Sequence, residues 1–476
     1  AQNNNRTINI LRSVNHPLAQ ALTSNAAKLT RTTPNWKEFQ PRVGFAWDPF
    51  GDAKTVVRGG YGIFYDQIFQ NLSLFSATQS EPQVFQTAIS LTAAQLATFR
   101  YGVDPLPALP PGFSFANLAV GAVGRINDPD ATEPYVQKFS IGIQRELTPR
   151  MSISSDFVHT LGVHEPRFLN INPQIKGVCD PLYPNATPAS PRCVRGAASR
   201  VLDQAFVAAG LPANRLEQIN MFATTNRSLF DSWATTLKYR TNKMLLNASY
   251  VLAFSRAWGG QPTASYSGNG IAITPENQFA AGEFGPTRLD ERHRFVLNGV
   301  FNLKWGFQIS PIVQIASARP FSANTGIDID GDGLTTIDRL CDGVSLASVF
   351  AVRGNNAAIQ ALNPRGCRQQ SVNQYRSGFF VDASGAVREI SHRFINVDVR
   401  ATKTFSFGER YKLNAYIDFY NVFNTDNLAF GSNARLGLNA ATSAATFMQP
   451  SSLFGPGFGP PIGRPFTAQL GARFTF

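Results

Sequence analysis

The residues whose types and spacing could do chemistry lie in one acidic loop near position 330. The predicted ligands are Asp328, Asp330, Asp332, Thr336 and Asp338. The first three alternate with other residues, and Gly333 permits the tight turn that would direct their carboxylates to one point. Such a loop usually ends on a bidentate glutamate, whereas Arg339 occupies that place here. The spacing predicts a calcium site, and a solvated acidic turn is the alternative interpretation.

Catalytic motifs are missing from the sequence. Its 5 histidines are isolated from one another, and neither a His-Glu-x-x-His helix motif nor a Gly-x-Ser-x-Gly elbow occurs. Isolated histidines are most often surface or lumen residues. We therefore predict that the protein is not an enzyme.

The 4 cysteines form two local pairs, Cys179 with Cys193 and Cys341 with Cys367. Each pair lies within a polar connection, and neither has the Cys-x-x-Cys spacing of a metal or redox motif. Disulfides that close loops in an oxidising compartment are the preferred interpretation. Free buried thiols are the alternative.

The composition limits what can position these residues. Charged residues make up 16%, while Phe and Gly contribute 38 residues each, which suits aromatic-rich strands with many turns. No apolar run reaches the roughly 18 residues of a transmembrane helix, so only a β-barrel could span a bilayer. The net charge is +12, but the basic residues are scattered, and nucleic-acid binding is not expected.

The strand pattern predicts five hairpins and a closing strand. They lie at about 40–65, 136–159, 231–254, 294–318, 394–423 and 465–476. In the fifth hairpin Ile395, Val397 and Val399 alternate with polar neighbours, so one face of the strand is apolar and the other polar. About eleven strands of roughly ten residues have the length that tilted strands need to cross a bilayer. The predicted fold is therefore an all-β, antiparallel transmembrane barrel.

The connections between these strands alternate between short and long. Every short link falls at the end where the last strand finishes, which is typical of periplasmic turns and long external loops with short helices. Both cysteine pairs would then lie outside the cell. The polar inner wall would carry Arg240, Arg294, Asp398, Arg400, Asp418 and Arg473. A soluble all-β protein with insertions is the alternative.

The last strand predicts the location of the protein. Its apolar face includes Phe466, Leu470, Phe474 and Phe476. This pattern resembles the carboxyl-terminal signal that barrel-assembly machinery reads, so we expect the cell outer membrane and contact with its lipid. Residues 39–476 would form the barrel portion, and residues 1–38 a polar loop or truncated amino-terminal part. The odd strand number suggests that amino-terminal strands are missing.

Three segments resemble a known family. They are Phe39-Gln-Pro-Arg-Val-Gly-Phe-Ala-Trp, which continues to Tyr65, Tyr420-Asn-Val-Phe-Asn424, and Gly471-Ala-Arg-Phe-Thr-Phe476. All three are similar to the barrel of Oar-like TonB-dependent transporters, which usually carry an amino-terminal carboxypeptidase-regulatory-like domain. Members of this family also have an acidic loop where this chain has Asp328 to Asp338.

The resemblance implies a 22-stranded barrel filled by a plug domain. Energy would come from the TonB system, which contacts a box near the amino terminus. The sequence shows neither plug nor box, so we expect the carboxyl-terminal half of such a barrel. Its function would be transport or reception of a bulky extracellular ligand that the sequence does not identify. The alternatives are a complete small porin-like barrel and a surface adhesin or structural barrel without transport.

Overall fold

The structure is a computed structural model. It describes residues 37–66, 99–100, 103–104, 124–128, 131–170, 219–259, 278–327, 329, 338–381, 384–391, 393–408, 410–429, 434–435, 452–453 and 465–476.

One antiparallel sheet contains eleven strands that follow each other in chain order. They are β1 (Arg42–Trp47), β2 (Thr55–Tyr65), β3 (Tyr135–Thr148), β4 (Met151–Asn170), β5 (Ile219–Arg240), β6 (Met244–Trp258), β7 (His293–Asn302), β8 (Phe307–Ala316), β9 (Phe394–Phe407), β10 (Tyr411–Tyr420) and β11 (Thr467–Thr475). Two short strands, Gly124–Asn127 and Phe284–Pro286, pair with β5 and β6. Within the described ranges the sheet is not closed, and β1 and β11 form its edges. The predicted all-β fold class is confirmed.

Short and long connections alternate along the sheet. The short turns are 48–54, 149–150, 241–243, 303–306 and 408–410, and the long connections are 66–134, 171–218, 259–292, 317–393 and 421–466. Because consecutive strands are antiparallel, all the short turns lie at one end of the sheet. We call this the periplasmic end and the opposite one the extracellular end, following the predicted orientation.

The first short turn is organised by one side chain. The Asp48 carboxylate accepts hydrogen bonds from the backbone N–H groups of Ala53, Gly51 and Phe50, at 2.7, 2.9 and 3.2 Å. These hydrogen bonds hold the pKa of Asp48 below its usual value, and the bond from Ala53 has the largest effect. Gly51 has φ +67°, a left-handed conformation that glycine adopts without strain. The local sequence therefore closes this turn without help from the rest of the fold.

The register gives the sheet two different faces. Phe139 of β3 lies opposite His159 of β4, and Ile141 lies opposite Phe157, which in turn pairs with Trp233. Ile141 and Trp233 are 45% and 53% exposed. Because opposed residues point to the same side, these apolar residues form one continuous surface, the lipid face. The other surface, which we call the lumen face, carries the polar partners.

Aromatic residues gather at the periplasmic end of the lipid face. They are Phe45, Trp47, Trp305, Phe307, Phe405, Phe407, Tyr411, Phe474 and Phe476, all substantially exposed. Lys403 lies among them, with its Nζ atom 4.5 Å from the centre of the Phe307 ring and hydrogen-bonded to the Trp305 carbonyl. Aromatic girdles with such lysines are typical of the membrane–water interface.

Two strands are longer than the sequence analysis predicts. The second hairpin was expected to end near residue 159 and the third to begin near 231, but β4 has 20 residues and β5 has 22. Their pairing continues beyond two register shifts around Glu165. Such bulges interrupt the alternation that marks a strand in the sequence. The hairpin formed by β4 and β5 therefore extends past the extracellular end of the other strands.

Two short helices lie in the fourth long connection: α1 (Leu346–Ala351) and α2 (Asn356–Leu362). Ser345 caps α1 by accepting a hydrogen bond from the Ser348 N–H, and Asn355 caps α2 in the same way. Within the described ranges, no helix has both the length and the apolarity needed to cross a membrane.

Candidate functional site

The lumen face is lined by paired polar side chains. Arg400 donates two hydrogen bonds to Asp418, at 2.6 and 2.8 Å, and Arg58 binds Asp156 in the same bidentate way. The remaining predicted inner-wall charges, Arg240, Arg294, Asp398 and Arg473, lie on this face by their strand register. Neighbouring strands also exchange neutral pairs, such as Asn247 with Asn298 at 3.0 Å. Such pairs neutralise charge within the wall, so the paired part of the wall can face water or protein.

A small folded unit stands at the extracellular end. We call it the cap, and it consists of residues 319–327, 329 and 338–381. Its apolar core contains Phe321, Ala323, Leu340, Leu346, Val349, Phe350 and Ile359. Gln370, which is buried, donates hydrogen bonds to the carbonyl groups of Cys341 and Val344, at 3.1 and 2.8 Å. An independent core of this size lets the connection hold a shape of its own.

A disulfide closes the cap. Cys341 and Cys367 are bonded, with their Cα atoms 5.8 Å apart. The bond encloses both helices, so it limits the freedom of this loop in the unfolded chain. Cys179 and Cys193 lie outside the described residues, and their pairing stays a prediction.

Three buried charges fasten the cap to the barrel. Glu283, which is 1% exposed, binds Arg167 of β4 and, at 3.1 Å, Arg339 of the cap. Arg339 also donates to the carbonyl oxygens of Gly282 and Gln370, at 2.9 and 2.8 Å. Burial lowers the pKa of Arg167, while the charge of Glu283 opposes that change. A buried carboxylate shared by two guanidinium groups ties three distant segments together.

A second set of ion pairs lies beside the first. Asp290, whose side chain is fully buried, binds Arg376 of the cap. Glu291 binds Arg319 of the cap at 2.7 Å and Arg294 of β7 at 2.6 Å. Arg376 also donates to the carbonyl oxygen of Asp290 at 2.8 Å. The segment before β7 is therefore the platform on which the cap rests.

Glu165 is a buried acid of the extracellular end. Its Oε1 atom accepts a hydrogen bond from the Ser228 hydroxyl at 2.5 Å. Its Oε2 atom is buried without a hydrogen-bond partner in the part of the chain that the structure describes. Burial raises the pKa of Glu165 to about 7, and the Ser228 hydrogen bond opposes this rise.

Glu165 lies on the part of β4 that extends beyond the membrane. It lies fifteen residues beyond Arg150, which is roughly 37 Å along the membrane normal for a strand tilted by about 40°. The apolar band of a barrel is only about 25 Å tall. Glu165 is therefore outside the membrane, on the lumen side of the extracellular extension.

Most of the predicted calcium ligands are not described. Asp328, Asp330, Asp332 and Thr336 fall in the gaps at 328 and 330–337. Asp338 is described and fully buried; its carboxylate accepts hydrogen bonds from the Ile329 N–H and the Gln369 amide, at 2.5 and 3.3 Å. Asp338 thus has a place in the cap core, and the calcium site stays a prediction.

The residues of the predicted assembly signal lie on the lipid face of β11 or directly beside its two ends. They are Phe466, Leu470, Phe474 and Phe476, with exposed fractions of 48, 79, 55 and 81%. Phe474 stacks on Tyr411, with the ring centres 6.0 Å apart. Their recognition by assembly machinery stays a prediction.

No pattern in the sequence marked Glu165, Arg167, Glu283 or Asp290 as a functional residue. All four lie in segments that were assigned to long connections, where charged residues usually signal solvent. One signal was available, because Leu161 and Val163 continue the apolar alternation of β4 past His159. This alternation predicts a longer strand. It does not predict that Arg167 pairs with a glutamate 116 positions away.

The match to a protein family agrees with the barrel architecture. The family described as "Outer membrane beta barrel domain" matches residues 1–458. No curated protein matches the chain significantly.

Several solved structures of outer-membrane proteins align with this chain at low identity. The outer membrane transporter YddB from Escherichia coli aligns with TM-score 0.43 and 10% identity over 81% of this chain and 37% of its own. The siderophore receptor PiuA from Acinetobacter baumannii aligns with TM-score 0.39 and 9% identity over 91% and 35%. The FrpB iron transporter from Neisseria meningitidis aligns with TM-score 0.39 and 10% identity over 92% and 39%. The chain thus spans less than two fifths of the length of these structures.

The family match covers nearly the whole sequence, and the sheet has the apolar outer face that membrane lipid requires. The protein is therefore located in the outer membrane, and the chain belongs to the outer membrane beta barrel domain family.

Proposed function

We propose that this chain is the carboxyl-terminal part of the barrel of an Oar-like TonB-dependent transporter, which takes up a bulky extracellular ligand. The observation that carries the proposal is the lumen face. Two of its arginines, Arg58 and Arg400, form bidentate pairs with aspartates of the same face. Rings of one charge are what an open selective pore uses, whereas neutralised pairs suit a wall that packs against a plug domain.

The extracellular end supports a receptor role. The cap has its own core and disulfide and rests on the segment before β7 through buried ion pairs. A rigid loop positioned on a scaffold is a suitable surface for recognition of a large ligand. In this proposal the TonB system would act through the plug domain, and the barrel itself would have no catalytic activity.

The proposal can be tested by photocrosslinking in living cells. Tyr416 points to the lumen, where the Arg400 guanidinium lies 4.3 Å from its ring centre, and the adjacent Ile417 belongs to the lipid face. A photoreactive phenylalanine analogue would replace one or the other residue in the chromosomal gene. A plug domain should crosslink to position 416 and not to position 417. The crosslinked peptide would be identified by mass spectrometry.

Two results would contradict the transporter. If position 416 crosslinks to no plug-domain peptide and the purified protein conducts ions in a planar bilayer without TonB, the porin-like alternative is correct. If it neither captures a plug nor conducts, the chain acts as a surface adhesin or structural barrel.

A further inference from the structure

A cluster of arginine and aromatic residues lies on the outer side of the extracellular end. We call it the arginine–aromatic ledge, and its members are Arg227, Arg256, Trp258, Phe279 and Phe284. Charged groups on the lipid face are costly at the centre of a bilayer and cost almost nothing at its edges. Arginines retained on this face therefore indicate an interfacial position.

The register places the ledge on the lipid face. Arg256 lies opposite Leu229, and Trp258 lies opposite Phe284. Two residues before Arg256 is Phe254, which pairs with Asp231 and so shares the face of Trp233. Arg256 lies twelve residues beyond Met244, or roughly 30 Å along the normal for a strand tilted by about 40°. The ledge is therefore just above the apolar band, at the level of the lipid head groups.

The aromatic rings form a continuous platform. The ring of Trp258 lies 4.4 Å from that of Phe284 and 5.5 Å from that of Phe279, centre to centre. The Arg256 guanidinium is 5.9 Å from the Phe284 ring centre, and that of Arg227 is 6.0 Å from the Phe279 ring centre. Contacts of this kind hold the guanidinium groups beside the rings.

The ledge has an excess of positive charge. Asp231 binds Arg256 at 3.0 Å and His159 at 2.7 Å. Arg227 is exposed, and it forms no ion pair with any residue that the structure describes. The ledge thus has two arginines but a single carboxylate beside it, which binds Arg256, and Arg227 can bind an external anion.

We propose that the arginine–aromatic ledge binds the phosphorylated sugar head group of a glycolipid in the outer leaflet. Arginine matches the oxygen geometry of phosphate, and flat aromatic rings offer an apolar surface to a sugar ring. The neighbouring apolar band would accommodate the acyl chains of the same molecule. The inference depends on the outer-membrane location and the register, and is independent of the transport proposal.

The proposal can be tested by lipid binding to the purified full chain in detergent, measured by native mass spectrometry. The probes are a bis-phosphorylated lipid A, the same lipid without phosphates, and phosphatidylglycerol. The test variant is the double substitution Arg227→Gln and Arg256→Gln. Lys403→Gln is the matched control, because Lys403 is a lipid-face cation beside aromatic rings at the periplasmic end. Heat-modifiable electrophoretic mobility would show that each variant is folded.

We expect the wild type to prefer the phosphorylated lipid A to both other lipids. The double variant should lose roughly ten- to thirty-fold in affinity for it, and the Lys403 variant should not. Equal binding by the wild type and the double variant, or equal binding of the three lipids, would overturn the proposal. If the double variant does not fold, the same lipid-binding measurement on the single variant Arg227→Gln tests the proposal. The Arg227 side chain has no ion pair to lose among the described residues.

Discussion

Replacing Glu165 with glutamine should remove one pH-dependent contribution to the stability of the protein. Glu165 is 8% exposed, and burial raises its pKa to about 7. Glutamine has nearly the same shape and can still accept the hydrogen bond from Ser228. It carries no charge at any pH, so the substitution removes only the ionisation.

The magnitude follows from the difference between the folded and unfolded pKa values. The folded value of about 7 exceeds the ordinary value of 4.5, a difference that corresponds to at most roughly 3 kcal/mol. Because the folded state binds the proton more tightly, the wild type loses stability as pH rises from about 4.5 to about 7. Above pH 7 the loss is complete. At pH 8 the free energy of unfolding of the glutamine variant should exceed that of the wild type by this amount. At pH 4 the two should be equal.

The assay is urea unfolding of the full chain in detergent, followed by tryptophan fluorescence at several pH values. The difference in unfolding free energy between variant and wild type is then plotted against pH. Glu389→Gln serves as control, because Glu389 is an exposed glutamate of the hairpin formed by Ser377–Val381 and Val387–Ser391. Its effect should be small and should not grow with pH in this range.

One result would refute the reasoning. If Glu165→Gln changes stability by the same amount at pH 4 and pH 8, burial does not control the ionisation of Glu165. A loss of stability at pH 8 would show that the charged carboxylate is needed there, against the sign derived from its burial.

Three other predictions concern the cap, its acidic loop and the last strand. Glu283→Gln should destabilise cap docking by about 3–5 kcal/mol, because it leaves the buried Arg167 and Arg339 without their shared carboxylate; limited proteolysis of the cap would measure this. Calcium should increase the protease resistance of the 320–392 loop. Phe476→Ser should reduce the folded fraction in the outer membrane, since about 2 kcal/mol of apolar transfer energy is lost at a lipid-exposed position.

Each of these predictions has a contrary outcome. Unchanged proteolysis in the Glu283 variant would mean that the ion pairs do not hold the cap. If calcium leaves the protease resistance of the loop as it was, with magnesium as the control ion, the acidic loop is a solvated turn. If the Phe476 variant has the same folded fraction as the wild type, Phe476 is not part of the assembly signal.

Those features of the fold that depend on residues close together in the sequence could be predicted. In β9 the alternation of Ile395, Val397 and Val399 with polar neighbours shows two faces without knowledge of any partner strand. The extracellular extensions of β4 and β5 were missed, since bulges near Glu165 break the period that a sequence pattern depends on.

The site was much less predictable. The sequence indicated a polar inner wall and the pairing of Cys341 with Cys367, because each depends on strand parity or on nearness along the chain. It gave no indication of the Arg167–Glu283 pair or of the arginine–aromatic ledge, whose members come from different connections.

The sequence by itself determined which strands form, which face of each strand meets lipid and at which end the short turns lie. These properties depend on the alternation of residue types and on the lengths of the connections. A bilayer constrains both, because every backbone N–H and C=O group within it must be hydrogen-bonded to the protein. Only the tertiary structure decided which charges meet. Glu283 joins Arg167 and Arg339 over separations of 116 and 56 residues, and such pairings follow from how the long connections fold back over the strands.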